Sequence, residues 1–141
     1  TYYPWGKDKF EALIEELNKA EKFIFMEYFI VAEGKMWNTV LEILKKKVQE
    51  GVEVRFMYDG TCSISLLPYN YPKKLEEYGI KCNAVSPGIV DTPGQRVYNH
   101  SVGQDGCPMG SSKDVAKAII YLLADSPAVM TGQSVDLFTT V

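Results

Sequence analysis

Residues 51–60 read Gly51-Val52-Glu53-Val54-Arg55-Phe56-Met57-Tyr58-Asp59-Gly60. Apolar residues at positions 52, 54 and 56 alternate with the charged Glu53 and Arg55, which is the period-two pattern of a β-strand. Gly51 follows a run of apolar residues with helical spacing, and a glycine there is typical of the position that ends a helix. The stretch therefore predicts a helix that passes directly into a strand.

The same alternation of helices and strands runs along the whole chain. Apolar residues at helical spacing predict one helix around Phe10–Leu17 and another around Trp37–Val48. A third helix is predicted from Pro72, and a fourth from Ser111 or Ser112. Strands are predicted at 23–31, 52–58, 80–86 and 134–139. The order α-β-α-β-α-β-α-β predicts an α/β fold, a layered sandwich with a four-stranded parallel sheet.

Local patterns add expectations about faces and connections. Asp8, with Glu11 three residues later, has the spacing of a capping box at the start of the first helix. The strand at 23–31 is aromatic and β-branched without alternation, so we expect it to be covered on both faces. Residues 59–71 and 86–110 are predicted as loops. The second loop, of about 25 residues, is long enough to be functional or mobile.

Two stretches of the chain resemble two different enzyme families. The first stretch contains Glu27-Tyr28-Phe29-Ile30, the decapeptide 51–60, Leu67-Pro68 and Lys74-Leu75. It resembles the opening of the first phospholipase-D-type domain of bacterial cardiolipin synthases. The second contains Asn83-Ala84-Val85-Ser86-Pro87-Gly88-Ile89-Val90-Asp91-Thr92-Pro93, Pro108-Met109-Gly110, Asp114-Val115-Ala116 and Met130-Thr131-Gly132-Gln133. It resembles the C-terminal third of a short-chain dehydrogenase/reductase.

The two resemblances meet at Gly79-Ile80-Lys81-Cys82, which fits either family. The chain is therefore interpreted as a chimera, one α/β domain in which residues 1–82 and 83–141 come from different parents. Both resemblances imply that consecutive strands lie side by side in a Rossmann-like or flavodoxin-like half. The expected strand order is 1-2-3-4, and the flavodoxin-like order 2-1-3-4 stays open.

The phospholipase-D resemblance implies chemistry that the chain lacks. Such enzymes use a His-x-Lys-x4-Asp motif twice, once as the nucleophile on phosphorus and once as the general acid. The chain has a single histidine, His100, and the motif positions after it hold Val102 and Cys107. His100 also lies in the other segment, so we expect it to be a loop residue.

The dehydrogenase resemblance implies a glycine-rich turn for the pyrophosphate and a Tyr-x-x-x-Lys pair. The glycine-rich turn is missing, and the pairs with the right spacing, Tyr3–Lys7 and Tyr69–Lys73, lie outside the dehydrogenase-like segment. The segment after the third strand, which lines the nicotinamide in the family, is matched by Pro87, Gly88, Val90 and Thr92. We interpret these four as vestigial cofactor-binding candidates that shape the strand exit. No catalytic residue, cofactor or metal is expected.

Composition excludes several other classes of function. A net charge of −3 argues against a nucleic-acid surface, and no apolar run is long enough for a membrane span. The three cysteines, Cys62, Cys82 and Cys107, are scattered without Cys-x-x-Cys spacing, which favours free thiols in a reducing cytosol. Together with the lack of a signal peptide, this predicts a soluble cytoplasmic protein with no nucleic-acid or membrane partner.

Two hypotheses of function follow. The first is a chimeric domain, engineered or recombined, that has no catalytic activity and self-associates. The second is a small phosphate- or nucleotide-binding module that uses the carboxyl ends of the strands. Its site would be formed by Asp59, Gly60, Thr61, Ser86, Gly88 and Thr92.

Self-association is expected from the handedness of the crossovers. Right-handed crossovers that all step in one direction place the second, third and fourth helices on one face of the sheet. Only the first helix then remains for the other face, and strand 23–31 lies at an edge. An apolar edge strand and an uncovered face predict a homodimer or a higher oligomer.

Overall fold

The computed structural model describes residues 1–63, 65–127 and 129–137. In chain order the elements are α1 (Gly6–Lys19), β1 (Phe23–Tyr28), α2 (Lys35–Gln49), β2 (Glu53–Asp59), α3 (Gly60–Ser63), α4 (Tyr71–Glu76), β3 (Lys81–Pro87), β4 (Val90–Asp91), α5 (Pro93–Ser101), β5 (Gly110–Ser111), α6 (Ser112–Ile120), a π-helical turn (Tyr121–Asp125) and β6 (Ser134–Leu137).

Four parallel strands form one sheet in the order β1-β2-β3-β6, which confirms the predicted α/β class and the order 1-2-3-4. The sheet is continuous across the predicted seam, because Phe56 of β2 lies opposite Cys82 of β3 and Val85 of β3 lies opposite Val135 of β6. The two-residue strands β4 and β5 form a separate pair. Positions 138 and 139 of the last predicted strand lie outside the described residues.

The centre of the sheet follows from the decapeptide. Gly51 takes a φ of 85° at the end of α2, a left-handed conformation that glycine adopts at little cost. The chain then enters β2, whose Val54, Phe56 and Met57 are all buried. Because neighbouring side chains point to opposite faces, Phe56 and Met57 show that β2 is covered on both sides.

The main core lies on the even face, defined as the face of the sheet that carries Ile24, Met26, Val54, Phe56, Cys82 and Ala84. Helices α1, α2 and α4 all pack there, and their core residues include Leu17, Leu41, Leu44 and Leu75. Helix α1 contacts α2 directly. The predicted stripe of α1 is thus confirmed as core-facing, but it shares a face with α2 and α4.

A smaller core lies on the odd face, which carries Met57 and Val85. Leu122 of the π-helical turn is buried against them, and Ile119 of α6 packs beside it. The predicted helix arrangement is therefore wrong. The step from β3 to β6 runs in the same direction as the earlier steps, but its helix lies on the opposite face. The third crossover consequently has the opposite hand to the first two, contrary to the usual rule.

The odd face of β1 is not covered, which corrects the expectation for this strand. Phe23 and Phe25 are 59% and 37% exposed, whereas Ile24 and Met26 are buried on the even face. The strand ends at Tyr28 rather than at residue 31. The odd-face core gathers over Met57, Val85 and the β6 residues Val135 and Leu137, and the Phe23 and Phe25 side chains of the edge strand stay open.

The predicted loop 86–110 contains a helix, α5, and both short strands. The Thr92 hydroxyl accepts a hydrogen bond from the Gln95 backbone N–H at 3.2 Å, and Pro93 occupies the first turn. The predicted loop 59–71 likewise contains the short helix α3. The capping box at Asp8 is also wrong, because α1 begins at Gly6 after Trp5 without a side-chain cap. Ser111 does cap α6, as predicted.

No helix among the described residues is long and apolar enough to cross a membrane.

Candidate functional site

The carboxyl ends of β2 and β3 bring together two of the residues predicted for a ligand site. Gly60 follows β2 directly, and a Cβ built on it would lie 2.7 Å from the Ser86 hydroxyl and 3.4 Å from the Ala84 Cβ. A larger residue at position 60 would displace the Ser86 hydroxyl, so glycine suits this close approach. Gly60 and Ser86, from opposite sides of the seam, are therefore in contact.

The polar side chains at this end are used by the protein itself. The Asp59 carboxylate accepts a hydrogen bond from the Cys62 backbone N–H at 2.7 Å, which caps α3. The Ser63 hydroxyl is buried and accepts the Val31 N–H at 3.1 Å. Burial raises the pKa of the Cys62 thiol, and the neighbouring Asp59 raises this pKa further. The side chain of Thr61 lies outside the described residues.

The four vestigial cofactor candidates lie at the exit of β3 or a few residues beyond it. Pro87 ends the strand, and the Gly88 N–H donates to the Leu137 carbonyl at 2.9 Å, so both extend the pairing with β6. Val90 lies in β4 opposite Gly110, and Thr92 caps α5. Each of these residues has a structural role in the described chain.

A cavity of about 320 Å³ lies on the even face beside this edge. It is lined by residues of both segments: Tyr58, Gly60, Ser63, Leu67, Pro68, Tyr69, Asn70, Tyr71, Pro72, Ala84, Gly132, Gln133 and Ser134. Burial raises the pKa of Tyr58 to about 12, so its hydroxyl stays protonated at neutral pH. The lining offers hydroxyl and amide groups, and none of the residues named here carries a charge that would attract a phosphate.

The remaining candidates lie apart from this edge. His100 lies on α5 with 82% of its side chain exposed, and its Nδ1 is 3.0 Å from Asp105 Oδ2. It belongs to a helix and not to the predicted loop. Cys82 is fully buried, which raises the pKa of its thiol, and Cys62 and Cys107 are half-buried and free. Among the described residues, no cluster of histidine, cysteine and carboxylate side chains has the grouping of a metal site.

Sequence reasoning missed a buried cation that joins the two segments. Arg55 is 8% exposed on the odd face, and its Nη1 donates to the Ser126 carbonyl at 3.2 Å and to the Ser126 hydroxyl at 3.3 Å. Its Nε donates to Glu53 at 3.0 Å, and Glu53 also accepts from the Lys81 ammonium at 2.9 Å. The alternation of residues 52–56 predicted that the Arg55 side chain points away from the apolar face of β2. It gave no sign that this other face is covered as well.

Replacing Glu53 by glutamine should reduce the fall in Tm that the protein shows as the pH drops below 4.5. Hydrogen bonds from Lys81 and then Arg55 hold the pKa of Glu53 below its ordinary value of 4.5. The ionised carboxylate therefore stabilises the fold above pH 4.5, and this contribution is lost as the pH falls through the lowered pKa. We expect the difference in Tm between the parent protein and Glu53→Gln to be constant near neutral pH and to shrink below pH 4.5. A difference that stays constant down to pH 3 would contradict this.

The two segments of the chain match different known proteins. An uncharacterised protein of Streptococcus mutans is 59% identical over 87 residues, which are 62% of this chain and 19% of that protein. A cardiolipin synthase of Oceanobacillus iheyensis is 42% identical over 82 residues, or 58% of this chain and 17% of the enzyme. The family described as Enoyl-(Acyl carrier protein) reductase matches residues 70–137. The chain thus spans less than a fifth of the length of these curated relatives.

Solved structures resemble the fold of nearly the whole chain. A hydroxysteroid dehydrogenase from Escherichia coli superposes with a TM-score of 0.60 at 14% identity, over 93% of this chain and 69% of that one. At this identity the likeness concerns the fold alone. The cardiolipin-synthase-like segment therefore lies within an architecture that is also found in a dehydrogenase.

Proposed function

We propose that this chain, which resembles a cardiolipin synthase over one part and a short-chain dehydrogenase over the rest, is a single α/β domain without catalytic activity. The observation that carries the proposal is the use of polar groups at the carboxyl end of the sheet. Asp59, Ser63 and Thr92 each accept a hydrogen bond from a backbone N–H of the protein itself. A ligand there would have to replace these hydrogen bonds.

The position of the histidine supports the same proposal. Phosphodiester transfer of the phospholipase-D type uses two histidines, and the chain has one. That residue, His100, is exposed on α5 and paired with Asp105. In this proposal it contributes to the surface of the domain and to no reaction.

We also propose that the domain self-associates through β1 and works without nucleic acid or membrane in a reducing cytosol. The exposed phenylalanines of β1 support self-association, since an apolar edge strand favours pairing with another chain. The free cysteines fit a reducing compartment.

A thermal-shift panel of nucleotides, dinucleotides and phosphoesters tests the proposal. A ligand present at 100 times its Kd would add about 2.7 kcal/mol to the free energy of unfolding. We expect no rise in Tm with any member of the panel. A rise that is lost in Ser86→Ala would instead support a phosphate- or nucleotide-binding module at the strand ends.

Turnover assays complete this test. Phosphodiester cleavage and cofactor-dependent alcohol oxidation should both stay at background. The His100→Ala variant should keep its stability within about 0.5 kcal/mol, as is usual for exposed sites. Phosphodiester turnover that is present in the parent protein and absent in His100→Ala would overturn the proposal.

A further inference from the structure

The backbone of β1 presents three residues to solvent along the open edge of the sheet. The Glu53 N–H donates to the Lys22 carbonyl at 3.0 Å, and Phe23 is aligned with Glu53. In a parallel pair this register directs the N–H and C=O groups of the even-numbered residues of β1 toward β2. The N–H and C=O groups of Phe23, Phe25 and Glu27 therefore point away from β2.

The side chains of the same three residues lie on the odd face. The rings of Phe23 and Phe25 are 4.9 Å apart, and the Arg55 guanidinium lies 5.3 Å from the Phe25 ring. Phe25 is thus supported from inside by a buried cation, while its outer side is exposed. The open backbone edge and the aromatic pair are continuous with each other.

We propose that two copies of the chain pair through antiparallel β1 strands about a two-fold axis at Phe25. This proposal rests on the self-association proposed above and assigns its surface and register. Phe25 would lie opposite Phe25 of the second copy, and Phe23 opposite Glu27. Each of these pairs exchanges two backbone hydrogen bonds, so every outward N–H and C=O of residues 23, 25 and 27 is used.

The neighbouring registers fit less well. A two-fold axis perpendicular to the sheet keeps odd residues opposite odd residues, so the axis moves in steps of one residue. With the axis at Ile24, Glu21 lies opposite Glu27, and directly opposed like charges are destabilising. With the axis at Met26, Phe23 lies opposite Phe29, which is beyond the end of β1.

The Phe25 register also completes an aromatic cluster. Directly opposed side chains lie about 5 Å apart at Cβ, and diagonal ones about 7–8 Å. The two Phe25 rings therefore meet, and each Phe23 ring lies diagonally to the Phe25 ring of the other copy. Four phenylalanine rings would cover the part of the odd face that α6 leaves open.

Disulfide trapping tests the register. In a Cys62→Ser, Cys107→Ser background, with Cys82 buried, Phe25→Cys should cross-link to a dimer under mild oxidation, because opposed Cα atoms lie about 5.5 Å apart. Phe29→Cys is the matched control, since Phe29 is 63% exposed. In the proposed register it lies about 26 Å from its symmetry mate along the strands and should not cross-link.

Light scattering at ~0.1 mM tests the edge separately. The parent protein should have a dimeric mass. The Phe25→Pro variant should be monomeric and should still unfold in one cooperative thermal transition, since proline is tolerated where the N–H faces an open edge. A monomeric parent protein would overturn both this inference and the proposed self-association. A dimer that persists without Phe25→Cys cross-linking would overturn the register and leave self-association standing.

Discussion

Replacing Phe56 by alanine should lower the free energy of unfolding by about 4 kcal/mol. Phe56 is 1% exposed at the centre of β2, and its ring stacks on Trp37 at 4.8 Å. Tyr58 and Tyr28 lie beside it at 6.0 Å and 6.4 Å between ring centroids. These large rigid neighbours on two strands and a helix cannot collapse into the space left by the ring, so the cavity cost adds to the lost burial.

Urea unfolding followed by circular dichroism measures this loss. Phe25→Ala is the matched control, because the same ring is removed from a partly exposed site on the neighbouring strand β1. It is measured at low protein concentration, where the proposed dimer does not contribute. We expect the control to change stability by less than a third of the Phe56→Ala effect. Equal losses at the two positions would show that the even face is not the main core.

Replacing Arg55 by alanine should cost about 2 kcal/mol, since hydrogen bonds to a charged group contribute about 1.5–3 kcal/mol. The substitution removes the bonds to Ser126 and the ion pair with Glu53. Lys81→Ala is the control. It breaks a pair with the same Glu53 carboxylate, but at a more exposed site, and should cost less than about 1 kcal/mol.

A double-mutant cycle separates the contact between Arg55 and the Ser126 hydroxyl, which crosses the seam, from the pairing of Arg55 with Glu53. Arg55 belongs to the cardiolipin-synthase-like segment and Ser126 to the dehydrogenase-like one. Since the two side chains are hydrogen-bonded, the effects of Arg55→Ala and Ser126→Ala should not be additive. Additive effects would mean that the Ser126 hydroxyl contributes nothing to the contact with Arg55, leaving only the bond to the Ser126 backbone carbonyl across the seam.

The sheet could be predicted from sequence because its signals are local and agree with one another. Gly51 ends α2 in the left-handed region, the alternation of residues 52–56 starts β2, and both families continue into a strand at Ile80. Consecutive strands of a sheet are then usually neighbours. For the candidate site, sequence reasoning brought Gly60 and Ser86 to one edge, but it could not show that Asp59 and Thr92 cap backbone groups.

The missed elements depend on weaker or non-local information. Helix α5 contains Gly94 and Asn99, which are poor helix formers, although Thr92 followed by Pro93 is a typical helix start that could have been recognised. The open face of β1 could not be predicted from its own apolar residues, because burial depends on where α6 lies. That position in turn depends on a crossover of the less common hand.

The reversed crossover has a consequence for the order in which the chain folds. Within residues 1–63, 65–127 and 129–137, every buried residue of the even-face core lies at or before Ala84, so the first three strands and their helices can form a nucleus without β6. Ile24 and Val54 pair across 30 positions, whereas Ala84 and Ser134 pair across 50, and the longer loop costs more entropy to close. Helix α6 cannot use α4 as a template, since it docks on the other side of a sheet that must already exist. The second segment would then join late, and changes within α6 would affect the rate of unfolding more than the rate of folding.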